Sequence, residues 1–319
     1  MIDATARSGT GSASGGTERW ALLLAGGDGL RLRSMTRDLA GDDRPKQFCQ
    51  IMGQGTLLEQ TWRRALLTVP GSQIISVVTK RHERFYAPLL RALGIPHVVT
   101  QPENRGTAPG ILYPLLRLSA LAPDASVAIF PTDHHFSDDR RFSAHVDRAF
   151  LAADAEPERV VLLGIIPDTH ESEYGWIEPD ESLGSAGWRA PRSVRQFWEK
   201  PDAQFAATLR ARGCVWNSFV MVGRVRAFLG LMRECLPELF GAFTALGPLT
   251  GDADEAVAIS ALYRRLTPTD FSRDVLAARP EALGVIPIWG VAWSDLGSPE
   301  RVLRVRKQFA PRRLELAQA

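Results

Sequence analysis

The sequence predicts an α/β fold built on a largely parallel sheet, and three observations carry that expectation. Short apolar, β-branched runs alternate with longer amphipathic stretches, the pattern left when strands are linked through crossover helices. The first such run, residues 20–25, ends directly in glycines, Ala25-Gly26-Gly27-Asp28-Gly29. A capping box, Thr56-Leu57-Leu58-Glu59, then opens a stretch of helical period.

After that capping box Leu58, Thr61, Trp62, Ala65, Leu66 and Val69 recur at helical spacing, which predicts a crossover helix behind strand one. Residues 74–79, 98–100, 127–130 and 160–166 are short and apolar enough to be strands buried on both faces, with helices filling the gaps between them. In residues 137–153, Ser137 is the expected N-cap and Asp138 and Asp139 suit the helix dipole. Phe142, Val146, Ala149 and Phe150 then share one face of that helix. Farther on, residues 174–178, 194–198 and 215–222 read as strands separated by turns containing Gly and Pro and by one helix near 202–212, so a mixed sheet is expected there. Ser298-Pro299-Glu300, with Pro at the first helical position, starts a short basic helix.

These elements divide the chain into a disordered tail at residues 1–17, rich in Gly, Ser, Ala and Thr and without the apolar core of a secretory signal, one domain at 18–297, and a helical tail at 298–319. With 38 basic and 36 acidic side chains, the formal charge of +2 supplies no global field for nucleic acid or a membrane surface, so anion binding must be local. No run approaches the ~20 apolar residues of a spanning helix. The three cysteines, Cys49, Cys214 and Cys235, show no CxxC spacing, which argues against a disulfide framework or zinc site and fits a cytoplasmic protein. A homo-oligomer is compatible with the sequence but not specified by it.

A strand ending in Ala25-Gly26-Gly27-Asp28-Gly29 lets backbone N–H groups approach an anion closely, because glycine lacks Cβ and tolerates positive φ. A tight turn without a ligand has the same composition. Two cations soon after the loop, Arg31 and Lys46 of Arg44-Pro45-Lys46-Gln47-Phe48, favour a polyphosphate, since fixed cations there can hold a leaving pyrophosphate. Two rival glycine-loop chemistries fail on spacing. A dinucleotide fingerprint needs a third glycine where Leu32 stands, and a P-loop needs a Gly-Lys pair that occurs nowhere.

Ile129-Phe130-Pro131-Thr132-Asp133 puts a carboxylate just past a strand end, where open α/β sheets bind ligands. A second carboxylate stands in the glycine turn Trp293-Ser294-Asp295-Leu296-Gly297. Two carboxylates completed by phosphate oxygens are an ordinary Mg²⁺ environment. Turn capping by Asp133 and an Asx-turn at Asp295 explain the same residues, and spacing alone does not pair the two. His134 and His135 read as turn residues.

Taken together, these residues resemble the sugar-phosphate nucleotidyltransferases, most closely the mannose-1-phosphate guanylyltransferases. The resemblance runs from about residue 21 to residue 302. Its pieces stand in the family's order: the loop from Leu24 to Leu32, Arg44-Pro45-Lys46-Gln47-Phe48, Pro102-Glu103-Asn104-Arg105-Gly106-Thr107-Ala108-Pro109 and Pro131-Thr132-Asp133-His134. Tyr174-Gly175-Trp176-Ile177-Glu178, Phe197-Trp198-Glu199-Lys200-Pro201, Trp216-Asn217-Ser218 and Trp293-Ser294-Asp295-Leu296-Gly297 complete it.

The resemblance implies a glycosyltransferase-A-like, Rossmann-like fold with a mixed, mostly parallel sheet flanked by helices. It implies that Leu24, Ala25, Gly26, Gly27 and Gly29 hold the nucleotide, with Arg105 and Thr107 near the base. Arg31, Lys46 and Lys200 are then the catalytic cations, Gly175, Glu199, Lys200 and Asn217 bind the sugar phosphate, and Asp133 and Asp295 hold Mg²⁺. The expected substrates are a nucleoside triphosphate, GTP first, and a sugar 1-phosphate, mannose 1-phosphate first. The expected chemistry is in-line attack of an already anionic phosphate oxygen, which needs positioning and charge neutralisation rather than a general base. The same motifs also serve other bases and sugars, and a non-catalytic regulatory relative would carry them too. Two departures stand out: the loop between Leu32 and Pro45 is longer than usual, with Ala40-Gly41-Asp42-Asp43-Arg44, and Phe219 stands where a glycine is common, which is expected to narrow the sugar site or alter its preference.

Overall fold

The computed structural model describes residues 17–53, 55–180, 191–249 and 251–309. The expected tail at residues 1–17 lies almost wholly outside them, as do residues 310–319 of the expected helical tail. The strands are β1 (Arg19–Leu24), β2 (Ile74–Thr79), β3 (His97–Gln101), β4 (Ser126–Pro131), β5 (His135–Phe136), β6 (Val160–Ile165), β7 (Gly175–Pro179), β8 (Arg192–Glu199), β9 (Val215–Arg224), β10 (Leu283–Ile288) and β11 (Trp293–Ser294). The α-helices are α1 (Arg33–Ala40), α2 (Leu57–Ala65), α3 (Glu83–Leu93), α4 (Thr107–Leu121), α5 (Asp139–Ala155), α6 (Ala203–Ala211), α7 (Val225–Cys235), α8 (Pro237–Thr244), α9 (Ala253–Tyr263) and α10 (Pro299–Phe309). No helix among the described residues is long and apolar enough to cross a membrane.

Nine strands form one sheet in the order β3-β2-β1-β4-β9-β6-β10-β8-β7, and β7 also pairs with β9. The pairings β1–β2, β1–β4, β2–β3 and β6–β10 are parallel. β9 runs antiparallel between β4 and β6, and β7 and β8 pair antiparallel with their neighbours. The sheet is therefore mixed. Mostly parallel pairing holds in the half that starts the chain but not in the other, where β7 and β8 fold back on each other and β9 runs against both β4 and β6.

Period-two alternation divides the core. Trp20 and Leu22 of β1 face one apolar layer with α4, α7, α8 and α9, while Ala21 and Leu23 face the other with α2, α3, α5 and α6. The long helix α4 reads as nearly continuous apolar sequence because it is buried along most of its length. Both halves of the capping box form: the Thr56 hydroxyl accepts from the Glu59 N–H at 3.2 Å, and the Thr56 N–H donates to Glu59 Oε2 at 2.5 Å. Helix α2 stops at Ala65, short of the apolar spacing that reaches Val69, and the chain continues in turns whose Leu67, Thr68 and Val69 N–H groups bond back to Arg64 and Ala65. The N-cap of α5 is Asp138, whose carboxylate accepts from the Arg141 N–H at 2.9 Å, and not Ser137.

Two features aim the chain at the carboxyl edge of the parallel strands, where the glycine loop leaves β1 and Asp133 follows β4. A two-stranded antiparallel ribbon pairs β5 with β11, Trp293 opposite Phe136 and Ser294 opposite His135, and so brings residues 133 and 295 to the same place. A small apolar cluster then packs α10, through Val302 and Val305, onto Leu32, Cys49, Ile51, Leu57 and Leu296.

Candidate active site

The cleft over that edge has a volume of about 400 Å³. Of the residues singled out from the sequence, Leu24, Gly26, Gly27, Arg31, Thr107, Asp133, Gly175, Glu199, Lys200, Asn217 and Asp295 line it, and Ala25, Gly29, Lys46 and Arg105 do not.

The glycine loop is held from below. Gln47 Nε2 donates to the carbonyls of Ala25 at 3.0 Å and Gly27 at 2.7 Å, Thr79 Oγ1 donates to the Gly26 carbonyl at 2.8 Å, and the Ala25 N–H donates to Val77 O at 2.8 Å. Gly26 sits close under Gln101, where a Cβ would stand 2.7 Å from Gln101 Nε2 and would oblige that side chain to shift. Gly29, at φ 61°, needs the left-handed region and lies against Pro45 and Lys46, so its part is to turn the chain. The following turn, Leu30–Leu32, sets Arg31 at the rim, with Nη1 3.4 Å from Glu173 Oε2 across the cleft.

Lys46 is buried beneath the cleft and does not reach into it. Its Nζ donates to Asp295 O at 2.7 Å and Leu296 O at 3.1 Å and lies 3.3 Å from Asp133 Oδ2. The ammonium thus ties together the two loops that carry the carboxylates. Burial works against the charge of Asp133, yet the Lys46 ammonium, with His134 and backbone hydrogen bonding acting in the same direction, holds the carboxyl below its usual range. The second carboxylate, Asp295, accepts through Oδ1 from the Gly297 N–H at 2.9 Å, the Tyr174 hydroxyl at 3.3 Å and Arg301 Nη1 at 3.0 Å. Burial, reinforced by Asp295, pushes the Tyr174 phenol up, so it stays a donor.

At the other end Gly175 opens β7 opposite Glu199, and a Cβ on it would stand 2.9 Å from the Phe197 ring and 3.1 Å from Glu199 Oε2. Burial raises the Glu199 carboxyl above its usual range, offset in part by Lys200, whose Nζ lies 3.2 Å from Oε1. Asn217 is buried, with Oδ1 accepting from the Phe219 N–H at 3.0 Å. Near the start of α4, Thr107 Oγ1 accepts from the Phe271 N–H at 2.7 Å, while Arg105 turns away to Glu103 at 2.9 Å.

The structure adds residues for which no site role was expected from the sequence. His134, read as a turn residue, lines the cleft; its Nδ1 accepts from Trp293 Nε1 at 3.3 Å, which leaves the proton of the neutral ring on Nε2, 3.6 Å from Asp133 Oδ1. Burial holds the imidazole below its usual range. Gln101, Asn104, Asp270 and Ser272 also line the cleft. Asp270 and Ser272 arrive through a segment that docks on α4 by backbone hydrogen bonds, including Ala108 N–H to Thr269 O at 3.1 Å, and such bonds leave no mark in side-chain patterns.

Known proteins resemble this chain in sequence and in fold. The chain is 29% identical over 297 residues to the xanthan biosynthesis protein XanB of Xanthomonas campestris pv. campestris, covering 90% of this chain and 59% of that one. It is 27% identical over 280 residues to a mannose-1-phosphate guanylyltransferase of Escherichia coli, covering 87% of this chain and 58% of that one. The chain therefore spans only a little over half the length of these curated relatives. A crystal structure described as a mannose-1-phosphate geranyltransferase from Thermus thermophilus superposes with a TM-score of 0.74 at 28% identity, covering 88% of this chain and 76% of that one. A sequence match to the nucleotidyl transferases runs from residue 20 to residue 311, through every element that builds the cleft, and places the chain in the nucleotidyl transferase family.

Proposed function

We propose that this chain transfers a nucleotidyl group from a nucleoside triphosphate, GTP in the first instance, to a sugar 1-phosphate, mannose 1-phosphate in the first instance, releasing pyrophosphate. One observation carries the reading. Asp133 and Asp295, remote in sequence, share one cleft between the glycine loop on one side and Glu199, Lys200 and Asn217 on the other.

A sugar 1-phosphate oxygen forms a bond to the α-phosphorus as the bond from that phosphorus to the pyrophosphate oxygen breaks. The nucleophile is already an anion, so no side chain need take a proton. Leu24, Gly26 and Gly27, which line the cleft, cradle the nucleotide with Thr107 at its base end, while Ala25 and Gly29 shape the loop from behind and Arg105, expected near the base, stands outside the cleft on Glu103. Arg31 leaves Glu173 for the departing phosphates and Lys200 receives the sugar phosphate. Glu199 and Asn217, whose acceptors and donors suit hydroxyls, hold the sugar beside Gly175. Lys46 acts from beneath by fixing Asp133 and the 295–296 backbone.

The two carboxylates fit a divalent cation, Mg²⁺ first. Asp295 Oδ2 has Arg301 as its partner, and Gly297 keeps space beside it, since a Cβ there would stand 2.5 Å away. No cluster of three or more His, Cys, Asp or Glu able to hold a metal occurs among the described residues, so a cation held by Asp133 and Asp295 would need substrate phosphates and water to complete its shell. When bound, such a cation neutralises charge on the phosphates during transfer.

The reading covers residues 18–297 as the transfer unit, with α10 packed behind it. The free thiols of Cys49, Cys214 and Cys235 favour a reducing cytoplasm. The test is pyrophosphate release from the purified protein with each of the four common nucleoside triphosphates against a panel of sugar 1-phosphates, with Mg²⁺ and with chelator. Release with at least one pair, abolished by chelator, is expected. Nucleotide binding by calorimetry with no release from any pair overturns the proposal and leaves a binding protein.

A further inference from the structure

Three non-glycine residues among those described have positive φ: Lys200 at 47°, Phe219 at 60° and Leu296 at 49°. All three border the cleft, since Lys200 and Phe219 line it and Leu296 follows Asp295 and offers its carbonyl to Lys46. The left-handed region is costly for a residue with a Cβ, and an observed outlier of this kind is a reason to look for function. Leu296 has a structural return, being fully buried in the cluster under α10, and Lys200 is engaged with Glu199. Phe219 is different: it is an aromatic residue only partly buried, one part of it packed on the core and the rest facing the cleft.

The backbone that presents Phe219 is fixed by its neighbours and not by its own ring. Between the pairs Leu162–Met221 and Gly164–Asn217, β6 advances two residues while β9 advances four, so residues 218–220 bulge from the sheet. Ser218 Oγ donates to Leu163 O at 2.5 Å and accepts from the Val220 N–H at 3.1 Å, while Asn217 Oδ1 accepts from the Phe219 N–H. The bulge therefore survives replacement of the ring, and what a replacement changes is the wall of the cleft. Around that wall stand polar groups, Glu199, Lys200 and Asn217. A pyranose offers hydroxyls at its edge and C–H bonds on its faces, and a site with a few polar anchors and one aromatic surface matches both.

We propose that Phe219 is a specificity-determining residue. Its ring packs against a C–H face of the sugar and occupies the space that a bulky substituent would need, so hexose 1-phosphates are accepted and N-acylated hexosamine 1-phosphates are excluded. The inference rests on the sugar-1-phosphate reading above.

The test compares the parent protein with Phe219→Gly and Phe219→Leu by steady-state kinetics on both classes of sugar 1-phosphate, together with Tm. Phe219→Gly is expected to raise KM for the hexose 1-phosphate about 10-fold or more, to gain turnover on an N-acetylhexosamine 1-phosphate, and to leave KM for the nucleoside triphosphate unchanged. Phe219→Leu keeps bulk without an aromatic face, so it is expected to raise the hexose KM yet still exclude the N-acetyl sugar. Its Tm should not exceed that of Phe219→Gly, because glycine relieves the left-handed backbone and leucine does not. Turnover by a folded Phe219→Gly with an unaltered sugar KM and sugar preference overturns the assignment to Phe219. Absence of turnover by the parent on every sugar 1-phosphate overturns the underlying reading instead, and this inference with it.

Discussion

Arg301 Nη1 lies 3.0 Å from Asp295 Oδ1 and 3.1 Å from Oδ2, so α10 reaches back to fix a carboxylate of the cleft. The same guanidinium sits 4.5 Å over the Tyr174 ring, and its Nη2 stands 3.0 Å from Glu171 and 3.2 Å from Glu173. Glu173 is also the partner of Arg31, so one chain of charges links α10 to the rim of the glycine loop.

Arg301 is buried, and removing one member of a buried ion pair leaves the other uncompensated, at a cost of about 3–5 kcal/mol. Arg301→Ala is therefore expected to lower Tm by several degrees and to lower kcat, because Asp295 and the segment before Gly175 lose their common anchor. Arg301→Lys should recover part of the stability but little of the rate, since an ammonium cannot grip both oxygens of Asp295 and stack on Tyr174 at once. Thermal melts and steady-state rates check this. Parent-like kcat in a folded Arg301→Ala shows that α10 does not position the site.

Lys46 gives a second expectation. All three of its acceptors are protein atoms, two of them backbone carbonyls, so the residue supports structure as well as charge. Lys46→Met, which keeps the stem, is expected to cost about 1.5–3 kcal/mol for each charged hydrogen bond left unmade, before relaxation, and to release the Asp133 carboxyl toward its ordinary range. Asp133→Asn leaves the two carbonyl contacts and should disturb Tm less while still lowering pyrophosphate release. Urea titrations of both variants separate the effects. Equal destabilisation by the two places the weight of Lys46 on Asp133 and not on the backbone.

These contacts also mark how far the sequence could be read. The alternation of Trp20 and Leu22 against Ala21 and Leu23, and the Thr56 to Glu59 capping box, are local periodicities, and the folded chain uses them as written. The meeting of Asp133 with Asp295 depends on β5 and β11, two residues each, too short to show any period. An apolar run does not state its direction, so the antiparallel half of the sheet was only partly legible. Two of the three acceptors of Lys46 are backbone carbonyls, which carry no sequence signal, so its place beneath the cleft could not be read from its motif.

The cysteines support a simple chemical expectation. Burial pushes the Cys49 thiol up to about 11 and the Cys214 thiol up to about 12, so neither is a thiolate near neutrality. Both should resist a disulfide reagent in the folded protein and react once the chain is denatured. Counting released thiolate before and after denaturant checks this, and rapid modification of either residue in the native protein, identified by peptide mass, contradicts it.

Two histidines that do not line the cleft, His82 and His145, set an expectation for acid. Burial holds His82 below the usual imidazole value of 6.5 although Asp28, at 3.3 Å, pulls upward, with Arg81 and Arg33 adding to the depression and Asp43 opposing it. His145, with Nε2 3.3 Å from Trp289 O, is likewise depressed by burial, and Arg148 and Arg141 act in the same direction. A folded value below the unfolded one means that the unfolded chain takes up protons first as pH falls. The stability tied to neutral His82 and His145 is thus fully present above about pH 6.5 and is lost as pH falls through their lower folded values. Tm should decline between about pH 7 and about pH 5, and a variant carrying His82→Gln and His145→Gln should show a shallower decline. An identical slope in the variant and the parent assigns the acid response to other groups.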